Sequence, residues 1–347
     1  MPIARDNHYV PRLYLKHFAS ADGKVFRYRT LVPRAHISEW KPVNISGVGY
    51  QEHLYTRAMA HGDSDEIELW LNKEFETPAA ESISKAVNNE RLDKDDYRLL
   101  VRFLAAQTVR TPAHLIENLP KWRQFAQHKS DTFSKEIKEK FTKAKANGEV
   151  IESEGVPNAR YFPLRITKVP ADDGKSVLIK TETAVGRGMW MFEIRHVLTN
   201  TLNRLLEHRW TIVSAEDDLP WFTTDDPVVR LNFKNEHNYD FKGGWGSPNT
   251  NIFLPLSPRH LLLTQVGKKG PYQRGDLLPR PMAIMLRKMI AEHAFRYIFA
   301  PIPDPTIAAY RPRTVNAQAV EHERNEWRNW HKEQSAIERE LLGSDNE

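Results

Sequence analysis

WTIVSAEDDLPWFTTDDPVVRLNF, residues 210–233, continued after a Gly-rich loop by NIFLPLSPRHLLLTQV, residues 251–266, decides the fold. Trp210 to Val213, Pro220 to Thr224, Val228 to Phe233, Asn251 to Leu256 and His260 to Val266 are short runs rich in β-branched, aromatic and leucine residues. Asp, Pro, Gly and Asn separate them, which is the pattern of an antiparallel sheet. The chain on either side reads as helix. A run from Asp65 to about Val87 carries Ile67, Trp70, Leu71, Phe75, Ala79, Ile83 and Ala86 on one stripe, and Asp93 caps a second helix that ends at Arg110 before Thr111-Pro112.

Further helices are expected over 113–128, 132–146, 183–208, 281–299 and 315–342, the last with Val320, Trp327, Trp330, Ile337 and Leu341 on one side. Near the N-terminus, Pro11 opens a short helix over 11–19. Val25, Phe26 and Tyr28 read as a strand, and a second extended piece is expected around Ala35 to Trp40. The fold class is therefore α+β, a helical block packed on a mainly antiparallel β-sheet, in a single domain over 1–347. Within it, 112–148 reads as a helical projection and 149–182 as a polar insert.

Length and composition narrow the function. The 347 residues carry no cysteine, which excludes thiolate nucleophiles, disulfides and Cys-ligated metal and fits a reducing cytoplasm. Hydrophobic residues at 40% and aromatic residues at 10% belong to a globular protein, and a net charge of +5 is too mild to name a partner. The N-terminal stretch is charged from Arg5 onward, so neither a signal peptide nor an anchor is expected, and no run is apolar enough for a bilayer. P-loop, dinucleotide-binding, zincin and EF-hand motifs are absent. Ser257 lacks the glycines of a nucleophile elbow and is not read as a hydrolase serine.

What remains is a set of polar residues where a core would take apolar ones. Glu74 falls beside Leu71 and Phe75 on the helical stripe, and a buried carboxylate needs a partner or a task. Gln107 and Arg110 share a face with Leu100, Phe103 and Leu104; an inward guanidinium can hold a carboxylate or phosphate, or close a structural ion pair. Thr223-Thr224-Asp225-Asp226-Pro227 brings two carboxylates to a strand end, where hard cations such as Mg²⁺ or Mn²⁺ find oxygen ligands and where an ordinary turn would also fit. His8 precedes the first helix without a capping role, and Lys16 on that helix could meet a phosphate.

The opening Asn7-His8-Tyr9-Val10-Pro11-Arg12-Leu13-Tyr14-Leu15-Lys16-His17-Phe18 resembles a large, mostly bacterial family of uncharacterised proteins marked by an N-terminal His-Tyr-Val-Pro motif. Glu68, Glu74, Gln107 with Arg110-Thr111-Pro112, Trp221 through Pro227, and Pro255-Leu256-Ser257-Pro258 resemble further blocks of that family in the same order. The family's middle block more often reads Thr-Ser-Asp-Asn-Pro, so Asp225 is its matching aspartate and Asp226 departs from the pattern. The resemblance implies a shared fold and a shared site and brings no reaction with it.

Two functions follow from these residues. In the first, His8, Glu74 and Asp225 are catalytic, Glu74 and Asp225 hold Mg²⁺ or Mn²⁺, and Lys16, Gln107, Arg110 and Thr223 bind substrate, a constellation suited to phosphodiester or nucleotide hydrolysis of the nuclease kind. In the second, the same residues are a buried structural network and the protein is a non-catalytic ligand- or partner-binding module. Nucleic-acid binding through the basic helices near 121–145 is a further alternative, with a nucleotide or nucleic acid as partner and no membrane.

Overall fold

The computed structural model describes residues 3–59, 61–147, 164–170 and 177–342. The architecture is α+β with two main antiparallel sheets. The five-stranded sheet runs in the order Thr211–Ser214, His260–Gln265, Asn251–Pro255, Val229–Asn235, Asn238–Asp240. Its strands Thr211–Ser214, Asn251–Pro255 and His260–Gln265 carry apolar residues on both faces because both faces are covered, whereas Asn238–Asp240 is a polar edge. Ile212, Ile252, Leu254 and Leu262 pack into the helical block, while Val213, Leu261, Phe253, Val229 and Leu231 pack toward the helix Arg280–His293 through Ala283, Met289 and Ile290. A sheet buried on two sides loses the alternation of a half-exposed one.

The second sheet has four strands, in the order Thr223–Thr224, Tyr297–Ala300, Lys24–Arg29, Trp40–Asn44. Thr223–Thr224 thus leaves the neighbourhood of the other sheet strands and pairs with Tyr297–Ala300. The helix expected over 281–299 ends at His293, because Tyr297-Ile298-Phe299 pairs with Lys24–Arg29 instead. The extended piece expected at Ala35 to Trp40 lies later, at Trp40–Asn44, with Pro42 tolerated on an edge strand.

Helices cover the remaining core. Glu66–Leu71 and Thr77–Val87 are joined by a π-helical turn, Asn72–Glu76, and Arg187–His196 is joined to Asn203–Leu206 by a second, Val197–Thr201. Lys94–Val109 begins with a capping box in which Asp93 and Asp96 each accept the other's backbone N–H. Where helices over 113–128 and 132–146 are expected, a single helix, Pro112–Asn147, carries Pro120 inside it. No glycine or proline separates Lys121 from Ala146, so the Lys- and Glu-rich stretch continues the helix. Of the expected polar insert, Leu164–Pro170 and Val177–Thr183 form an antiparallel pair, and the helix expected from 183 begins at Arg187; 149–163 and 171–176 lie outside the described residues. Ala317–Leu342 is the last helix.

Candidate functional site

Asn7-His8-Tyr9-Val10 is the knot on which the site is built. Asn7 is fully buried, with its Oδ1 accepting the Tyr55 N–H at 3.0 Å and its Nδ2 donating to the Ala4 carbonyl at 3.3 Å. Asp6–His8 pairs with the strand Tyr50–Glu52, and the Val10 N–H donates to the Gly49 carbonyl at 3.0 Å. Gly49 has φ +67°, and a Cβ there would fall 3.0 Å from the Val10 Cβ, so glycine lets this turn close on the motif. Tyr14, a few residues on, donates to the Pro255 carbonyl at 2.5 Å and accepts from Thr223 Oγ1 at 2.7 Å, tying the first helix to both sheets.

Tyr9 then lines a cleft of about 710 Å³. One wall is a face of the four-stranded sheet, carrying Arg27, Arg29 and Tyr297; the second is the helix Ala317–Leu342, carrying Arg324, Trp327, Arg328 and Lys332; the turn from Gly47 to His53 closes the third side. The lining is basic and aromatic. Arg27 and Arg29 alternate along Lys24–Arg29 and so point to one face, opposite Phe299 and Tyr297 on the neighbouring strand. The Arg27 guanidinium sits 5.4 Å from the centre of the Tyr297 ring. Its Nε is buried with no hydrogen-bond partner among the described residues, and neither arginine has a carboxylate within ion-pair distance among them. Burial lowers the Arg27 pKa, and the adjacent Arg29 charge adds to the effect. The two carboxylates on the rim are engaged: Glu52 with Arg5 at 2.7 Å and Glu323 with Arg296 Nε at 2.6 Å.

Behind this cleft lie two buried networks. Asp225 is 2% exposed; its Oδ1 accepts the Phe295 N–H at 3.0 Å and its Oδ2 the Arg296 N–H at 2.8 Å. Its carboxylate therefore fixes the start of the strand that presents Tyr297. Burial pushes its pKa up to about 7 against the pull of those N–H groups, and Asp225 in turn raises the Tyr9 hydroxyl, which burial has already lifted well above the usual range. Arg110 is fully buried: it pairs with Glu76, lies 3.6 Å from Glu68, donates to the His8 carbonyl at 2.7 Å and to the Tyr55 hydroxyl at 3.4 Å. Burial alone would lower its pKa, but Glu76, Tyr55 and Glu68 hold it well above its ordinary value. Burial, with Glu76 and Asp65 adding to it, raises Glu68 to about 7 in spite of Arg110.

The residues singled out in the sequence separate accordingly. Arg110, Asp225 and the His8 backbone lie in these adjoining networks, linked further by Thr111 Oγ1, which donates to Asp226 at 3.0 Å. Thr223 is occupied by Tyr14. The His8 ring packs on Tyr50 with centroids 5.4 Å apart, half-buried, and burial lowers its pKa. Gln107 is fully buried, and its amide has no partner among the described residues. Glu74 lies elsewhere, its side chain 42% exposed and 3.9 Å from Arg102; the inward carboxylates are Glu68 and Glu76. Lys16 is exposed. Glu74 and Asp225 thus belong to different surroundings, and among the described residues no group of three or more His, Asp or Glu side chains is placed to hold a metal ion. Ser257 Oγ lies 2.8 Å from His260 Nδ1, whose Nε2 is 3.0 Å from Asn89 Oδ1, but the hydroxyl also accepts the Arg259 N–H and so closes the hairpin turn.

Arg27, Arg29 and Tyr297 went unremarked in the sequence, and Trp327 was placed only on the apolar stripe of the last helix. One signal was there: in KVFRYR, period-two alternation places both arginines on the face of Val25, which is fully buried.

Fold and site together define an α+β protein with a basic, aromatic-walled cleft braced from behind by buried ion-pair and hydrogen-bond networks. Among the described residues, no helix is long and apolar enough to cross a membrane. The chain belongs to the DUF4238 family of proteins of unknown function, whose model matches residues 6–302. No curated protein and no solved structure matches it.

Proposed function

We propose that the protein is a ligand-binding module whose cleft takes a phosphate-bearing anion, with the network around Arg110 and Asp225 serving as its structural support. The observation that carries this reading is the pair Arg27 and Arg29, without carboxylate partners among the described residues. Two arginines two residues apart on one strand face, about 7 Å between their Cα atoms, one of them with a desolvated and unpartnered Nε, are costly unless an anion joins them. Guanidinium forks match phosphate oxygens in geometry as well as charge. A Mg²⁺- or Mn²⁺-dependent hydrolase would need carboxylates free to take a cation, whereas Glu52 and Glu323 on the rim are already bound to Arg5 and Arg296. Binding is therefore the preferred reading.

Thermal shift with inorganic pyrophosphate and a nucleoside triphosphate tests it, since a ligand of the folded state raises its apparent stability. The wild type is expected to gain several degrees at saturating ligand. Arg27→Gln/Arg29→Gln should lose that gain while melting no lower than the wild type without ligand. An equal gain in the double variant would refute the assignment.

A further inference from the structure

We propose that the occupant of this cleft is a single-stranded nucleic acid, an inference that rests on the anion-binding reading above and names its ligand class. Both walls carry cations in a linear array rather than around a point. Arg27 and Arg29 stand about 7 Å apart on the strand. Opposite them, Arg324, Arg328 and Lys332 follow one another at four-residue spacing on one face of Ala317–Leu342, about 6 Å per step. A mononucleotide or pyrophosphate engages one end of such an array, and a phosphodiester chain engages its length.

The aromatic groups point the same way. Tyr50, Tyr297 and Trp327 line the cleft beside the cations, none of them fully buried. Interleaved rings and basic side chains are what an unpaired strand requires, because its bases offer faces for stacking while its backbone is neutralised. Charge alone would serve an acidic polypeptide equally, and it is the rings that favour bases. A duplex keeps its bases stacked on each other and offers these rings nothing.

The experiment is fluorescence anisotropy of the full chain with labelled single-stranded oligonucleotides, from a dinucleotide to about 16 nucleotides. Affinity is expected to rise with length to a plateau, and to fall with salt along a log–log slope of about −2 to −3.5, the value for three to five phosphates neutralised on a single strand. Arg27→Gln should reduce that slope by about 0.7. Trp327→Leu should weaken binding about tenfold or more while leaving the slope intact, a loss that removal of a charge would not produce. Circular dichroism establishes that each variant folds. Affinity that does not change from the dinucleotide to the longest strand overturns the inference while leaving the anion site standing. Tighter binding of the matching duplex, or equal competition by polyglutamate, overturns it as well, and failure to bind any of these anions together with pyrophosphate removes both readings.

Discussion

Arg110 shows how a buried charge is made tolerable: Glu76 neutralises it, and the His8 carbonyl and the Tyr55 hydroxyl take further donors. The excess falls on Glu68, which faces the same guanidinium at 3.6 Å but shares it with Glu76 and is pushed up to about 7. The consequence for stability follows from the sign of that shift. The folded protein holds the Glu68 proton more tightly than the unfolded chain does, so the contribution is fully present below about pH 4.5 and is lost as pH rises through about 7. Glu68→Gln abolishes this titration. Melting temperatures of variant and wild type are expected to diverge in the variant's favour between about pH 4.5 and 8, with Asp225, raised for a like reason, keeping its own slope in both. A difference that stays constant over that interval would show that Glu68 titrates alike in both states.

The element that misdirects a sequence reading is the π-helical turn. Ile67, Leu71, Phe75, Ala79 and Ile83 repeat every four residues and all are buried. In an unbroken α-helix such a run drifts about 40° per step, about 160° from Ile67 to Ile83, and could not stay on one core. The turn Asn72–Glu76 absorbs one extra residue, returns about 100°, and brings Phe75 and Glu76 inward while Glu74 turns toward solvent. Trp190, Ile194, Leu198 and Leu202 repeat the device around Val197–Thr201. Glu74→Ala is thus expected to change stability by about 0.5 kcal/mol or less. Glu76→Ala, which leaves Arg110 without its closest counter-charge, should cost about 3–5 kcal/mol. Urea denaturation of the two variants reads the register directly, and equal losses would place both carboxylates alike. Much else was legible in the sequence: strand composition marked four of the five strands of the larger sheet, all but Asn238–Asp240, and Asp93 marked the start of Lys94–Val109. The inward direction of Arg110 was legible too, because it shares a helix face with Leu100, Phe103 and Leu104; the burial of Asp225, flanked by Thr224 and Asp226, was not. Nor were the partners of Arg110 and Asp225, since Phe295 and Arg296 lie some seventy residues from Asp225 and helical period says nothing of contacts at that range. The cleft was hidden for the same reason, its walls coming from Lys24–Arg29 and Ala317–Leu342 at opposite ends of the chain.

At the scale of the whole molecule, two carboxylates of the last helix help to hold it in place as a wall of the cleft. Toward its C-terminal end, Glu338 pairs with the buried Arg187 at 2.6 Å and accepts the Ala58 N–H at 2.8 Å. Near its N-terminal end, Glu323 holds Arg296 at 2.6 Å, in a pair that is about a quarter exposed. The two clamps should answer to mutation differently. Glu338→Gln strips a buried guanidinium of its carboxylate, so it is expected to lower stability by about 3–5 kcal/mol and to weaken anion binding by loosening one wall. Glu323→Gln breaks a pair already open to water, at a cost of about 1 kcal/mol or less, and removes the negative charge nearest Arg296. Arg296 is then released to the cleft and the local potential rises, so pyrophosphate should bind more tightly, with the gain largest at low salt. Titration calorimetry at two ionic strengths decides the matter: a Glu323→Gln variant that folds normally and binds pyrophosphate more weakly than the wild type would mean that the carboxylate positions Arg296 for the anion instead of competing with it.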